Sequence, residues 1–287
     1  MTLEGWVPVA VSDSAIDWRL LPGHHFTHPF FQDTLRCHHG APARKTTWEE
    51  AEQWVAAHPG MAPAGLVFHM SRCGSTLVSQ MLAAVAENRV LSEPPAVDHV
   101  LRHRSAARLR TIVGALGQAT EAETRYFLKL DCWHIRDYEL IREAFPNTPA
   151  VFLYRDPLEV IVSQMRNPGE WTSSYGVDRE ACIAELLGEM MQAALRHSDS
   201  LRLVEYTALP DAVFGMFGLE WTPAQMERMR HAARLDAKTP ALEFQSDSAA
   251  KRSAASDRVR AAAAKVAPLY ERLRSVTQAS GPAPLAF

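Results

Sequence analysis

Apolar runs of three to five residues, bounded by turn-forming residues, alternate along this chain with longer stretches whose apolar positions recur every three or four residues. The short runs, 66–70, 89–91, 126–130, 150–154 and 202–205, are rich in β-branched and aromatic side chains, as strands buried on both faces are. The longer stretches predict helices over 47–57, 76–87, 96–116, 137–145, 157–166, 179–198, 223–235 and 256–274. Thr47 with Glu50 reads as a capping box at the first of these, and Thr222 with Pro223 and Gln225 opens the seventh. Strands alternating with helices in this way predict an α/β chain, a three-layer α/β/α arrangement about a mostly parallel sheet of about five strands. Residues 1–45 show no periodicity but hold Trp6, Trp18, Phe26, Phe30 and Phe31. Residues 1–63 are read as an ordered extension packed over the sheet, and 64–287 as the main body of a single domain.

Composition narrows the class. The 287 residues are 47% hydrophobic and 22% charged, enough for one large core, and a net charge of −3 gives no sign of a nucleic-acid binder. Cys37, Cys73, Cys132 and Cys182 form no CxxC pair, which favours a reducing compartment. The first residues have neither a basic nor an apolar leader region, and no apolar run approaches the ~20 residues that span a bilayer. A cytoplasmic enzyme is expected, with no membrane partner.

Two segments carry chemistry. Residues 66–76 read as a buried strand entering a phosphate loop in which Ser75 stands at the position where an ATP-binding loop has its lysine. The nearby cation is Arg72. The run Tyr154-Arg-Asp-Pro-Leu-Glu-Val-Ile-Val-Ser163 leaves a strand, turns at Pro157 and enters a helix, so that Arg155 and Ser163 flank the turn. A guanidinium fork and a hydroxyl in that arrangement suit a single isolated phosphate.

These segments resemble the two phosphate motifs of the sulfotransferases that use 3′-phosphoadenosine 5′-phosphosulfate: 68–77 is similar to the 5′-phosphosulfate loop, and 155–163 to the 3′-phosphate motif. Leu91-Ser-Glu-Pro94 is similar to the segment that carries a catalytic glutamate in the protein-tyrosine and many bacterial branches, and 204–209 to a strand end near the nucleotide. The resemblance covers about 64–275. It implies a P-loop-type fold and the phosphosulfate nucleotide as co-substrate, with adenosine 3′,5′-bisphosphate left after transfer to a hydroxyl or amine of a small molecule or peptide. It assigns nucleotide contacts to Arg72, Cys73, Gly74, Ser75, Thr76, Arg155, Ser163, Tyr206 and Lys251, and catalysis to Glu93, Lys129, Arg72 and Asp131. Ser71 and Cys73 depart from the loop pattern, Thr207 and Ala208 replace a Glu-Asp pair, and Lys129-Leu-Asp131 lacks the usual proline.

Glu93 is the first choice of base, with Asp131 second and His134 third. No metal is expected: His24, His25, Cys37, His38 and His39 cluster in sequence, but adjacent histidines in a loop seldom face one ion. Cys73 reads as a small loop residue rather than a nucleophile, the Met190–Met191 pair as core and the Trp171 region as a lid. Residues 1–45 and the loop 167–178 are expected to line the acceptor side. A kinase or NTPase and a non-catalytic nucleotide-binding protein stand as the alternatives, and a homodimer is left open.

Overall fold

The computed structural model describes residues 2–169, 178–239 and 241–279. The amino-terminal segment is more regular than its composition suggests. Strands β1 (Trp6–Val11), β2 (Ala15–Leu20) and β3 (Ala43–Thr47) form an antiparallel sheet in that order, with the short helix α1 (Phe31–Cys37) between β2 and β3. The signal was the alternation Ile16-Asp17-Trp18-Arg19, in which Ile16 and Trp18 are fully buried and their neighbours face outward. Trp18 Nε1 donates to Thr46 Oγ1 at 2.9 Å across the sheet, so its one polar atom is satisfied. The Thr47 capping box is present and starts α2 (Trp48–Ala57).

The five short apolar runs pair into one parallel sheet, made of β4 (Pro63–His69), β5 (Asn88–Ser92), β6 (Arg125–Lys129), β7 (Ala150–Tyr154) and β8 (Arg202–Glu205). The order is β5-β6-β4-β7-β8, with every neighbouring pair parallel. Helices α3 (Ser75–Ala83), α4 (Pro95–Leu101), α5 (Ala106–Leu116), α6 (Tyr138–Ala144), α7 (Pro157–Arg166), α8 (Arg179–Arg196), α9 (Pro223–Ala233), α10 (Ser248–Ser253) and α11 (Asp257–Ala279) flank it. The fold is a three-layer α/β/α arrangement.

The single helix expected over 96–116 is two. Arg104 adopts a left-handed φ of 51°, which ends the first, and Ser105 caps the second by accepting from the Arg108 N–H at 3.3 Å. The amino-terminal sheet rests through β1 against these two helices, α4 and α5, and its buried side chains join the same hydrophobic core as the main sheet. The chain runs from β4 outward to β5, back to β6, and then across to β7. The carboxyl end of β4 therefore lies at the strand-order reversal, where ligand crevices of parallel sheets form.

No helix among the described residues is long and apolar enough to cross a membrane.

Candidate functional site

β4 delivers the loop directly into that crevice. After His69 and Met70 the backbone turns left-handed at Ser71, Arg72 and Gly74, with φ of 68°, 50° and 86°, before α3 begins at Ser75. Ser71 and Arg72 hold a conformation that costs a side chain ~1–3 kcal/mol each, a strain found where a loop must present its backbone to a ligand. At Gly74 the space is closed as well, since a Cβ would lie 2.7 Å from Leu209 Cδ1 and 3.0 Å from Tyr206 Cδ2. Successive N–H groups of this kind, followed by the open first turn of α3, make a concavity that attracts anions. Cys73 is fully buried in the loop and burial pushes its thiol up to about 11, so it is no nucleophile at neutral pH.

The loop opens on a cleft of about 620 Å³. Arg72, Ser75, Thr76, Glu93 and Asp131 line it, as does Phe30 with Gln32, Asp33 and Arg36 from the amino-terminal segment. Residues of the amino-terminal segment thus reach the same cleft as the loop. From the loop 167–178, Gly169 lines the cleft and the Asn167 carbonyl accepts from Arg72 Nη2 at 2.6 Å, while Trp171 and the rest of 170–177 lie outside the described residues.

Lys129, at the end of β6, is 1% exposed and its Nζ donates to Glu93 Oε1 at 2.5 Å. Glu93 follows β5 with a left-handed φ of 55°, its N–H bonded to the Lys129 carbonyl at 2.8 Å, so that the two residues are locked through backbone and side chain together. His69 completes the group. Its Nδ1 accepts the Ser71 N–H at 3.1 Å, which places the ring proton on Nε2, 2.9 Å from the Leu130 carbonyl and 3.3 Å from Glu93 Oε1. Burial keeps this imidazole below its ordinary pKa, hence neutral. Burial alone would raise the Glu93 carboxyl, but the Lys129 ammonium and the His69 hydrogen bond hold it well below the usual carboxylate range.

Asp131 has the opposite fate. Burial, reinforced by the charges of Glu93 and Asp98 and opposed by His134, lifts its carboxyl to about 7. Asp98, Asp131 and His134 have donor atoms within 4.8 Å of one another, the one such trio among the described residues. The His134 and Asp98 atoms are already engaged. His134 Nδ1 accepts the Asp131 N–H at 3.1 Å, so Nε2 carries the proton and donates to Asp98 Oδ1 at 3.0 Å, which also accepts from Trp133 Nε1 at 2.7 Å. A metal at this trio would have to displace that proton and break these bonds. In the amino-terminal cluster, Cys37 Sγ lies 3.5 Å from His28 Nε2, and His38 Nδ1 donates to the Thr34 carbonyl at 2.9 Å.

Lys238, which sequence reasoning missed, also lines the cleft. Its Nζ lies 5.7 Å from the centre of the Phe30 ring, and Lys129 Nζ lies 4.8 Å from the same ring. Partial burial, and then the neighbouring charges of Arg72 and Lys129, bring its ammonium down to about 8. No local pattern marks this lysine, which sits between α9 and α10; Asp98, Phe30 and Arg36 are equally silent until the fold brings them together.

The second motif forms a group of its own, outside the residues that line the cleft. Arg155 is 5% exposed and its fork does not meet Ser163 on α7: Nε donates to Glu159 Oε2 at 2.7 Å, and Nη2 to Ser248 Oγ at 3.0 Å and Asp247 Oδ1 at 3.3 Å. The Tyr206 ring covers the guanidinium at 3.9 Å, and Nη1 reaches the Arg72 carbonyl at 3.5 Å, which joins this group to the loop. Lys251, 6% exposed, places Nζ 2.9 Å from Asp247 Oδ2. Arg155, Tyr206 and Lys251 are thus gathered in one place, Arg155 and Lys251 through Asp247. The charge of Arg155 is met here by Glu159 and Asp247 rather than by a group shared with Ser163.

No family model matches the chain, and no curated protein matches it.

Proposed function

We propose that the protein is a sulfotransferase that moves a sulfuryl group from 3′-phosphoadenosine 5′-phosphosulfate to a hydroxyl or amine of a small molecule or peptide. The observation that carries this reading is the loop 69–76: a left-handed backbone nest at the mouth of a parallel sheet, with Arg72 in it, Ser75 in place of a γ-phosphate lysine, and Lys129 buried behind the Glu93 carboxylate that lines the same cleft. The gathering of Arg155, Tyr206 and Lys251 against the other side of the Arg72 carbonyl supports a nucleotide with a second phosphate.

In-line transfer of SO₃ builds negative charge on the oxygen that bridges sulfur and phosphorus. The loop N–H groups, the first turn of α3 and Arg72 would stabilise that charge, and being fixed in advance they would need no reorganisation. A base must accept the acceptor's proton. Glu93 is a weak candidate because its anion is already stabilised by Lys129, whereas Asp131, held near neutrality, balances availability against basicity. Glu93 then serves as the group that orients Lys129. Phe30, Gln32, Asp33 and Arg36 would meet the acceptor.

Calorimetry and thermal shift with adenosine 3′,5′-bisphosphate, AMP and ATP test the reading. The bisphosphate should bind about tenfold or more tighter than AMP, since a charge-assisted contact is worth ~1.5–3 kcal/mol, and ATP should gain nothing from its γ-phosphate. Preference for ATP with Mg²⁺, or equal affinity for bisphosphate and AMP, would remove the sulfotransferase reading.

A further inference from the structure

We infer that Asp247 is a resident anion in the seat formed by Arg155 and Lys251, one that an incoming phosphate must displace, and that it thereby sets how tightly this site holds its nucleotide. The inference rests on the bisphosphate reading above. Two cations that are both more than nine-tenths buried share this one carboxylate: Oδ1 lies 3.3 Å from Arg155 Nη2 and Oδ2 lies 2.9 Å from Lys251 Nζ. A phosphate with two oxygens bridging a guanidinium and an ammonium would use the same donors.

The two acids around Arg155 differ in kind. Glu159 is 3% exposed and lies in the first turn of α7, four residues after the arginine it serves. It accepts from Arg155 Nε at 2.7 Å and Ser248 Oγ at 3.0 Å through Oε2, and from Arg252 Nε at 2.8 Å through Oε1. It is a fixed part of the seat. Asp247 is 51% exposed and comes from far along the chain, just before α10, on the longer of its two bonds to a buried cation. Its departure would leave Arg155 Nη2 and Lys251 Nζ facing the vacated position, and its carboxylate would be rehydrated at the surface. Displacing Glu159 instead would strip two arginines of a buried partner, which is far costlier. The exchange therefore runs through Asp247.

The roles separate in a binding experiment on the full chain. Adenosine 3′,5′-bisphosphate and AMP are titrated by calorimetry into wild type, Asp247→Asn and Lys251→Met, with unliganded melting temperatures recorded to establish that each variant folds. Asp247→Asn keeps the shape and the hydrogen bonding of the side chain while removing the competing charge. It should tighten the bisphosphate by about fivefold or more and leave AMP within about twofold, while Lys251→Met weakens the bisphosphate alone. If wild type prefers the bisphosphate and Asp247→Asn leaves that affinity unchanged or weakens it, Asp247 is a structural partner of Lys251 and the inference is overturned while the sulfotransferase reading stands. If no form prefers the bisphosphate over AMP, both fall.

Discussion

Asp131 and Glu93 line one cleft, yet their surroundings drive their carboxyls in opposite directions, and this gives each a separate signature. Asp131 titrates near 7 in the folded chain against an ordinary 3.8. Between these values the native state holds a proton that the unfolded chain has lost, so the stability owed to this residue falls as pH rises, and the full cost is present above about 7. Asp131→Asn should therefore raise the melting temperature more at about pH 8 than at about pH 4. Glu93 behaves inversely, since its depressed carboxyl contributes stability that is lost as pH falls. If Asp131 is the base, turnover should climb with pH through about 7, and Asp131→Asn should remove that limb and cost roughly 10²–10⁴ in rate. Glu93→Gln should instead loosen Lys129 and leave the limb in place; a limb that survives Asp131→Asn would remove Asp131 from the role of base. At this scale the loop, Glu93, Lys129 and Asp131 were legible because each sits in a short local pattern at a strand end. Their ranking was not, because a pKa is set by neighbours such as His69 and Asp98 that come from distant parts of the chain. The occupied state of Arg155 was hidden for the same reason, Asp247 lying 92 residues away.

Among elements, the five buried strands and most helix bounds follow from the apolar pattern, and α7 coincides with its expected range. The misses have physical causes. The run Arg102-His103-Arg104-Ser105 keeps enough helix propensity to mask a break that a left-handed Arg104 and the Ser105 cap produce. Ser105→Ala should cost about 1 kcal/mol of stability by denaturant titration, a loss Ser105→Asp should restore. β1 and β2 are hard to read because a period-two alternation only six residues long, half-buried and broken by Pro8, is a weak signal.

For the whole molecule, the amino-terminal sheet is part of the machine rather than an ornament on it. His25 Nδ1 lies 3.1 Å from Glu123 Oε1, Glu123 in turn holds Arg89 of β5 at 3.1 Å, and the Phe26 ring lies against that arginine at 4.7 Å. Removing residues 2–47 would uncover α4 and α5 and leave the Arg89–Glu123 pair without its cover. Such a truncation should be insoluble or lose its cooperative melt by circular dichroism, and recovery of a soluble, nucleotide-binding fragment would show that the segment is dispensable. The strand order has a consequence for how the chain is born. Among the described residues β4 pairs with β6 and β7, and β5 with β6, so a nascent chain that has reached residue 124 carries two apolar strands whose neighbours in the sheet are not yet made. The sheet cannot begin to zip until β6 leaves the ribosome, and the anion loop, though made early, has no rigid floor before then. Until that moment these strands are open to mispairing between chains, and safe passage depends on the speed of synthesis or on a chaperone that holds the first half of the protein.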